Sequence, residues 1–292
     1  STAWQIGAHT VMIIGSLLAI LPFILLVIAS FTDNQTALVN GYSFTPEKWS
    51  LEAYQYIASE WATIGRAYLM TILVTVIGTA LSLGITSTFA FAVSNDKLPG
   101  HKILMFLCIF TMLFNGGLVA SYYVYSNIFH IKNTIWALIV PTFLMSPFNV
   151  VLVKNYFSNS ISPSILEAAR MDGAGVFAVF TKIVMPLSVP IMATVGLMTA
   201  IGYWNDWTNG LYYLTENGGS QYYTIQLVLN RINENINFLA NNSDVAAKAA
   251  QQLPSTTMRM AIAVIGILPI MCAYPFFQKY FVKGITLGGV KE

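Results

Sequence analysis

Apolar residues run along this chain in six long stretches, about 9–31, 67–93, 103–125, 134–153, 187–208 and 257–279, separated by more polar connections. Each is long enough to be read as a helix crossing the bilayer core, which takes about 20 residues. None carries Asp, Glu, Lys or Arg within its apolar core. The pattern predicts an all-α membrane protein, a single domain over 1–292 with six transmembrane helices. The first stretch is too long for the apolar region of a signal peptide. It also lacks a basic flank and a small-residue cleavage site, so it is expected to be a retained span.

The connections carry their own patterns. Between the first two stretches lies "SFTPEKWSLEAYQYIASEW". Pro46 suits the first turn of a helix, and Trp49, Tyr54, Tyr56 and Trp61 favour the headgroup region. A short amphipathic helix on the membrane surface is expected there. The last long connection, about 209–256, is polar and exceeds what a helix hairpin needs, so it is expected to be an ordered surface that docks a partner, the alternative being a poorly ordered loop. Its "TIQLVLNRINENI" and "SDVAAKAAQQL" predict partial helix.

A third connection, "SPSILEAARMDGAG", begins with Ser162 as an N-cap and Pro163 at the first helical position. Leu166 to Met171 favour helix, and Gly173 or Gly175 ends it, giving a helix over about 163–174. Within the stretches, Gly78, Ser82, Gly84 and Ser87 allow close helix approach. Gly116 and Gly117 loosen or kink the third, and Pro141, Pro147, Pro269 and Pro275 interrupt backbone ladders.

Composition excludes a soluble globule: 56% of residues are hydrophobic and 9% charged, against about 25% charged in soluble domains. With a cytoplasmic amino terminus, the inner segments hold eight Lys and Arg with four acids, and the outer segments six with eight. Cationic residues concentrate on the cytoplasmic side. Both termini are therefore expected in the cytoplasm, in a multi-pass protein of the plasma or inner membrane. Cys108 and Cys272 fall inside the third and sixth stretches and are read as apolar fillers. His9, His101 and His130 sit near span ends as interfacial residues. There is no CxxC, catalytic triad, Walker lysine motif or GxGxxG. No catalytic residue, metal site or nucleic-acid partner is expected.

The spacing in the third connection is specific. Glu167-Ala168-Ala169 is followed after three residues by Gly173, after nine more by Ile183, then by Met185-Pro186. This resembles the E-A-A-x3-G-x9-I-x-L-P signature of ABC importer membrane subunits, with Met in place of Leu. "WSLEAYQYI", "FNGGLVASYYVY", "PFNVVLVKNYF", "GYWNDW", "YYTIQLVL" and "FFQKYFVKGITLGGVKE" extend the resemblance to the carbohydrate-uptake, maltose-permease-like family. It implies a type I permease fold whose helix 163–174 couples to an ATPase through Glu167, Ala168, Ala169, Asp172 and Gly173. The implied partners are a second homologous permease, two ATPase subunits holding ATP and Mg, an extracytoplasmic solute-binding protein and the lipid bilayer. The chain itself would hold no cofactor.

A sugar path needs aromatic faces and neutral hydrogen-bonding groups. Asn115, Asn149, Tyr203, Trp204 and Asn205 are the candidates. The competing role for each asparagine is a bond between spans, and for each aromatic an interfacial position. Permeases for amino acids, metals or phosphate share the coupling signature. An ion-coupled carrier would need ionisable groups within the membrane, which the apolar cores lack. In the tail, Gly284, Gly288 and Gly289 permit unusual backbone and Ile285, Leu287 and Val290 lie close together, so Gly284 to Glu292, about 30 Å if extended, is expected to pack against the ATPase pair, the alternative being a frayed end.

Overall fold

A computed structural model of the chain describes residues 2–241, 257–272 and 275. Among them every regular element is a helix, apart from one isolated antiparallel bridge between Thr32 and Trp49. In order come α1 (Thr2–Ser30), α2 (Asn34–Asn40), α3 (Glu52–Ser59) and α4 (Trp61–Val93). Then follow α5 (His101–Leu113), α6 (Gly117–Tyr123), α7 (Trp136–Ile139), α8 (Pro147–Ser160) and α9 (Pro163–Met171). Next are α10 (Val176–Val179), α11 (Met185–Leu187), α12 (Val189–Asn205) and α13 (Thr208–Tyr213). Last are α14 (Glu216–Gly219), α15 (Ile225–Asn241) and α16 (Thr257–Cys272). A π-helical turn at Val124–Ile128 extends α6, and another at Phe180–Val184 joins α10 to α11.

Two spans match the hydropathy reading as continuous helices, Trp4–Ser30 in α1 and Trp61–Val93 in α4. Both start earlier than the stretches at 9 and 67 because helix continues past the apolar run. The third, 103–125, is not one helix: His101–Leu113 and Gly117–Ile128 meet at 119°. The fifth is preceded by a bend of 79° between Val176–Leu187 and Val189–Asn205. The fourth, 134–153, is also interrupted, with α7 ending at Ile139 and α8 starting only at Pro147. Pro141 and Pro147 bracket that gap, where they remove backbone donors. Of the sixth stretch, α16 is described to Cys272. Residues 242–256 of the long connection and the tail from Gly284 to Glu292 lie outside the described residues.

The chain forms two compact units, Ser1–Arg66 with Val228–Met271, and Ala67–Leu227 with Cys272–Glu292. In the first, Asp33 caps α2 by accepting from Thr36 N at 3.2 Å. Lys48 Nζ donates to the same carboxylate at 3.0 Å. Phe31 stacks on Tyr54 with centroids 4.7 Å apart, and Tyr54 OH lies 2.8 Å from Ser30 Oγ. Pro46 is not in a helical first turn. Ser50 N donates to Phe31 O at 2.8 Å and Trp49 bridges Thr32, which ties 49–50 to the end of α1, and α3 starts only at Glu52.

The second unit has two apolar clusters. One packs Ala90, Cys108, Val150, Val153, Phe157 and Val195 from α4, α5, α8 and α12. The other gathers Val74, Leu138, Ile139, Tyr203, Leu214 and Leu227. Close approach is realised at Gly78, where a Cβ would stand 2.5 Å from Tyr203 Cζ, whereas Gly84 has nothing within 4 Å. Cys108 is buried, Cys272 exposed, and both are free.

Candidate functional site

Two features are built for more than packing. The first is α9, whose ends obey the chemistry of its sequence. Ser162 is extended and Pro163 occupies the first turn, although Ser162 Oγ pairs with Ser164 Oγ at 2.7 Å rather than capping. At the other end Gly173 takes φ +81°. Gly173 N donates to Arg170 O at 3.1 Å and Ala174 N to Ala169 O at 2.9 Å. This pair of bonds is a Schellman stop, in which the left-handed residue is normally glycine. Leu166, Ala169 and Ala174 rest on the first apolar cluster. Glu167, Ala168, Asp172 and Gly173 face outward. Met171, Val176 and Phe177 around this short helix are 88%, 75% and 77% exposed.

The second feature is a cleft of about 950 Å³ at the interrupted spans. Asn115, Gly116 and Gly117 at the α5–α6 break form one side, 140–147 another, and Asp206 to Tyr213 a third. The α5–α6 break is stabilised locally: Gly117 takes φ +81° and its N–H donates to Asn115 Oδ1 at 2.8 Å. The gap between α7 and α8 is held from a distance. Ile139 O accepts from Tyr203 OH at 2.8 Å, Phe143 O from Ser82 Oγ at 3.0 Å, and Pro141 O from Asn209 Nδ2 at 3.4 Å. Non-helical backbone at membrane depth survives where it is buried in protein or lines a water-filled cavity. Here side chains from α4, α12 and α13 serve the carbonyls that the interruption frees.

Apart from Asp206, the cleft walls are uncharged and carry several aromatic rings. Tyr125, Tyr212 and Tyr213 contribute rings, and Asn115, Ser121, Thr142, Thr208 and Asn209 contribute hydrogen-bonding groups. Tyr213 stacks on Tyr122 at 5.8 Å and meets Tyr125 edge-on at 5.9 Å. Lys132 Nζ donates to Tyr122 OH at 2.7 Å behind this group. Among the described lining residues there is no lysine or arginine, and Asp206 supplies the carboxylate. Its oxygens accept from Thr208 N (3.1 Å), Asn209 N (3.2 Å) and Asn209 Nδ2 (2.7 Å), so it is occupied in starting α13.

Of the five path candidates, Asn115 lines the cleft. The other four lie elsewhere. Asn149 is buried and donates to Thr199 Oγ1 at 3.2 Å, tying α8 to α12. Tyr203 is 1% exposed and serves the α7–α8 gap. Trp204 is buried beside the Tyr68 ring at 6.4 Å. Asn205 Oδ1 accepts from Gln226 Nε2 at 3.4 Å. The wall residues that pattern reading passed over are Tyr125, Asn209, Tyr212 and Tyr213. The signal for them was present in "SYYVY" and "NGLYY", where tyrosines cluster at the ends of apolar runs.

The sequence profile of the family described as "Binding-protein-dependent transport system inner membrane component" matches residues 5–287. The chain belongs to this family. The inner membrane component of a binding-protein-dependent transport system is a transport subunit rather than a catalyst of covalent chemistry. Among curated relatives, the polygalacturonan/rhamnogalacturonan transport system permease protein YtcP of Bacillus subtilis (strain 168) is 37% identical over 276 residues, covering 94% of each chain. Protein LplC of the same organism is 35% identical over 274 residues, 94% of this chain and 90% of its own. Among solved structures, a chain of a bacterial ABC transporter involved in the import of the acidic polysaccharide alginate aligns with a TM-score of 0.80 and 28% identity. That alignment covers 95% of this chain and 96% of the other. The fold is that of an ABC importer permease.

Proposed function

We propose that this chain is a permease subunit of an ATP-driven importer that passes an oligosaccharide from an extracytoplasmic binding protein into the cytoplasm. The observation that carries the reading is α9: a helix anchored on the core by Leu166, Ala169 and Ala174, stopped by Gly173, and ringed by exposed Met171, Val176 and Phe177. Such side chains each stabilise an association by about 1.5–3 kcal/mol when fully buried. Their place beside the E-A-A spacing suits docking to a cytoplasmic ATPase that holds ATP and Mg. Glu167, Ala168, Ala169, Asp172 and Gly173 carry the coupling. A second permease subunit completes the path, both termini face the cytoplasm, and the connection 209–256 receives the binding protein.

The carbohydrate assignment is supported by what similar proteins are named for, polygalacturonan or rhamnogalacturonan transport and alginate import. The cleft chemistry agrees, because tyrosine faces suit sugar rings and Asn115, Thr142 and Asn209 suit hydroxyls. An ion-coupled mechanism is disfavoured by Asp206, whose oxygens are engaged in three hydrogen bonds.

The test is uptake by cells that express the chain with its partner permease, ATPase and binding protein across a panel of labelled solutes. Oligosaccharide uptake that stops when the chain is removed is expected. Uptake confined to amino acids, metal ions or phosphate would overturn the carbohydrate reading.

A further inference from the structure

The first unit contains a small basin that shares no residue with the cleft. It holds about 270 Å³, the scale of one sugar ring with some water. Its walls are Thr36 and Asn40 from α2, and Ser43, Thr45, Pro46 and Glu47 from the loop that follows.

The loop is held open rather than collapsed. Gly41 turns the chain out of α2 at φ +74°, with its N–H donating to Ala37 O. At the base, Asp33 N donates to Lys48 O at 3.0 Å and Ser50 N to Phe31 O at 2.8 Å. The Lys48–Asp33 ion pair at 3.0 Å closes the same end. Inside the loop, Asn40 Nδ2 donates to Glu47 Oε2 at 3.2 Å and Thr45 N to Ser43 Oγ at 3.2 Å. These bonds fix both walls before any ligand arrives, as in preformed small-molecule sites.

We propose that this basin binds one neutral pyranose unit of a saccharide. A sugar presents adjacent hydroxyls that both donate and accept. An amide and a carboxylate held side by side, with hydroxyl side chains around them, offer the matching set. Phe44, which lies in sequence between the lining residues Ser43 and Thr45, and nearby Trp49 are 47% and 60% exposed. Glu47 is the one ionised side chain among the lining residues. Its charge repels a sugar carboxylate, so a neutral ring is preferred over a uronate. The inference rests on the carbohydrate reading, since it takes saccharides as what this surface meets.

The test uses the assembled transporter in nanodiscs without binding protein, with maltotriose and trigalacturonate as probes in saturation-transfer NMR. Wild type should transfer saturation to maltotriose more strongly than to trigalacturonate. Measured in an Asn115→Leu background, which weakens binding at the cleft, Asn40→Leu should weaken maltotriose binding at least tenfold, and Thr45→Trp, which fills the basin, should abolish it. Glu47→Gln should narrow the gap between the two probes. No transfer to maltotriose in wild type, or unchanged transfer in both Asn40→Leu and Thr45→Trp, would overturn the proposal. Wild-type uptake judges the transport reading separately, since its absence would defeat that reading whatever the NMR shows.

Discussion

At the scale of single residues, buried hydroxyls and carboxylates decide where the backbone can leave the helix. Tyr203 is the clearest case. Its ring crosses α4 at Gly78, packs against Phe143 at 5.2 Å, and its hydroxyl serves Ile139 O. Tyr203→Phe keeps the ring but strands a buried carbonyl, which costs about 1–3 kcal/mol. Thermal unfolding of the purified protein should show that loss, and an unchanged midpoint would mean the hydroxyl is dispensable. Asp33 gives a pH-dependent example outside the spans. The Lys48 hydrogen bond, opposed by burial and aided by Thr36 N–H, holds its carboxyl below the ordinary value of 3.8. A carboxyl lowered in the folded state stabilises fully above its unfolded pKa and loses that contribution as pH falls through the folded one. Hydrogen exchange at the Thr36 and Ser50 amides should therefore be flat from pH 7 to about 5 after correction for intrinsic rates. Protection should fall below about pH 4, and Asp33→Asn should remove that step. Equal acid sensitivity in the variant would assign the step to another group.

At the scale of elements, α9 shows what local sequence carries and the fourth span shows what it does not. The limits of α9 follow from Pro163 and Gly173, and the structure ends the helix at Met171 with Gly173 at φ +81°. Gly173→Val forces a β-branched residue into a conformation that L side chains rarely adopt. It should uncouple ATP hydrolysis from uptake or reduce assembly with the ATPase, read as hydrolysis per sugar transported and as ATPase retained on purification. Wild-type values for both would contradict a coupling role. The first two apolar stretches were legible from hydropathy as continuous spans, because bilayer thickness sets the length a spanning helix needs. The break at 140–146 was not, because its carbonyls are served by Ser82 and Tyr203, about sixty residues away along the chain. Pro141 and Pro147 signalled a disturbance without revealing its extent. The path candidates illustrate the same limit: Asn149 and Thr199 form the kind of interspan bond that composition cannot separate from a substrate contact.

At the scale of the whole molecule, α1 is apolar along its length, and none of its spanning window is buried within the chain. A helix left bare in this way needs lipid or another membrane helix around it. The exposed apolar ring around α9 likewise calls for a protein partner. Both features fit a subunit of a larger transporter, and the matches over 94% of YtcP and 96% of the alginate-importer chain point the same way. The central claim is that ATP hydrolysis on a partner drives sugar through this subunit. Reconstitution in proteoliposomes with the second permease, the ATPase and the binding protein tests it most directly, by following labelled oligosaccharide across the bilayer. Transport that requires both ATP and binding protein, and that persists when proton and sodium gradients are collapsed, is predicted. Transport that runs on an ion gradient without ATP would contradict the account.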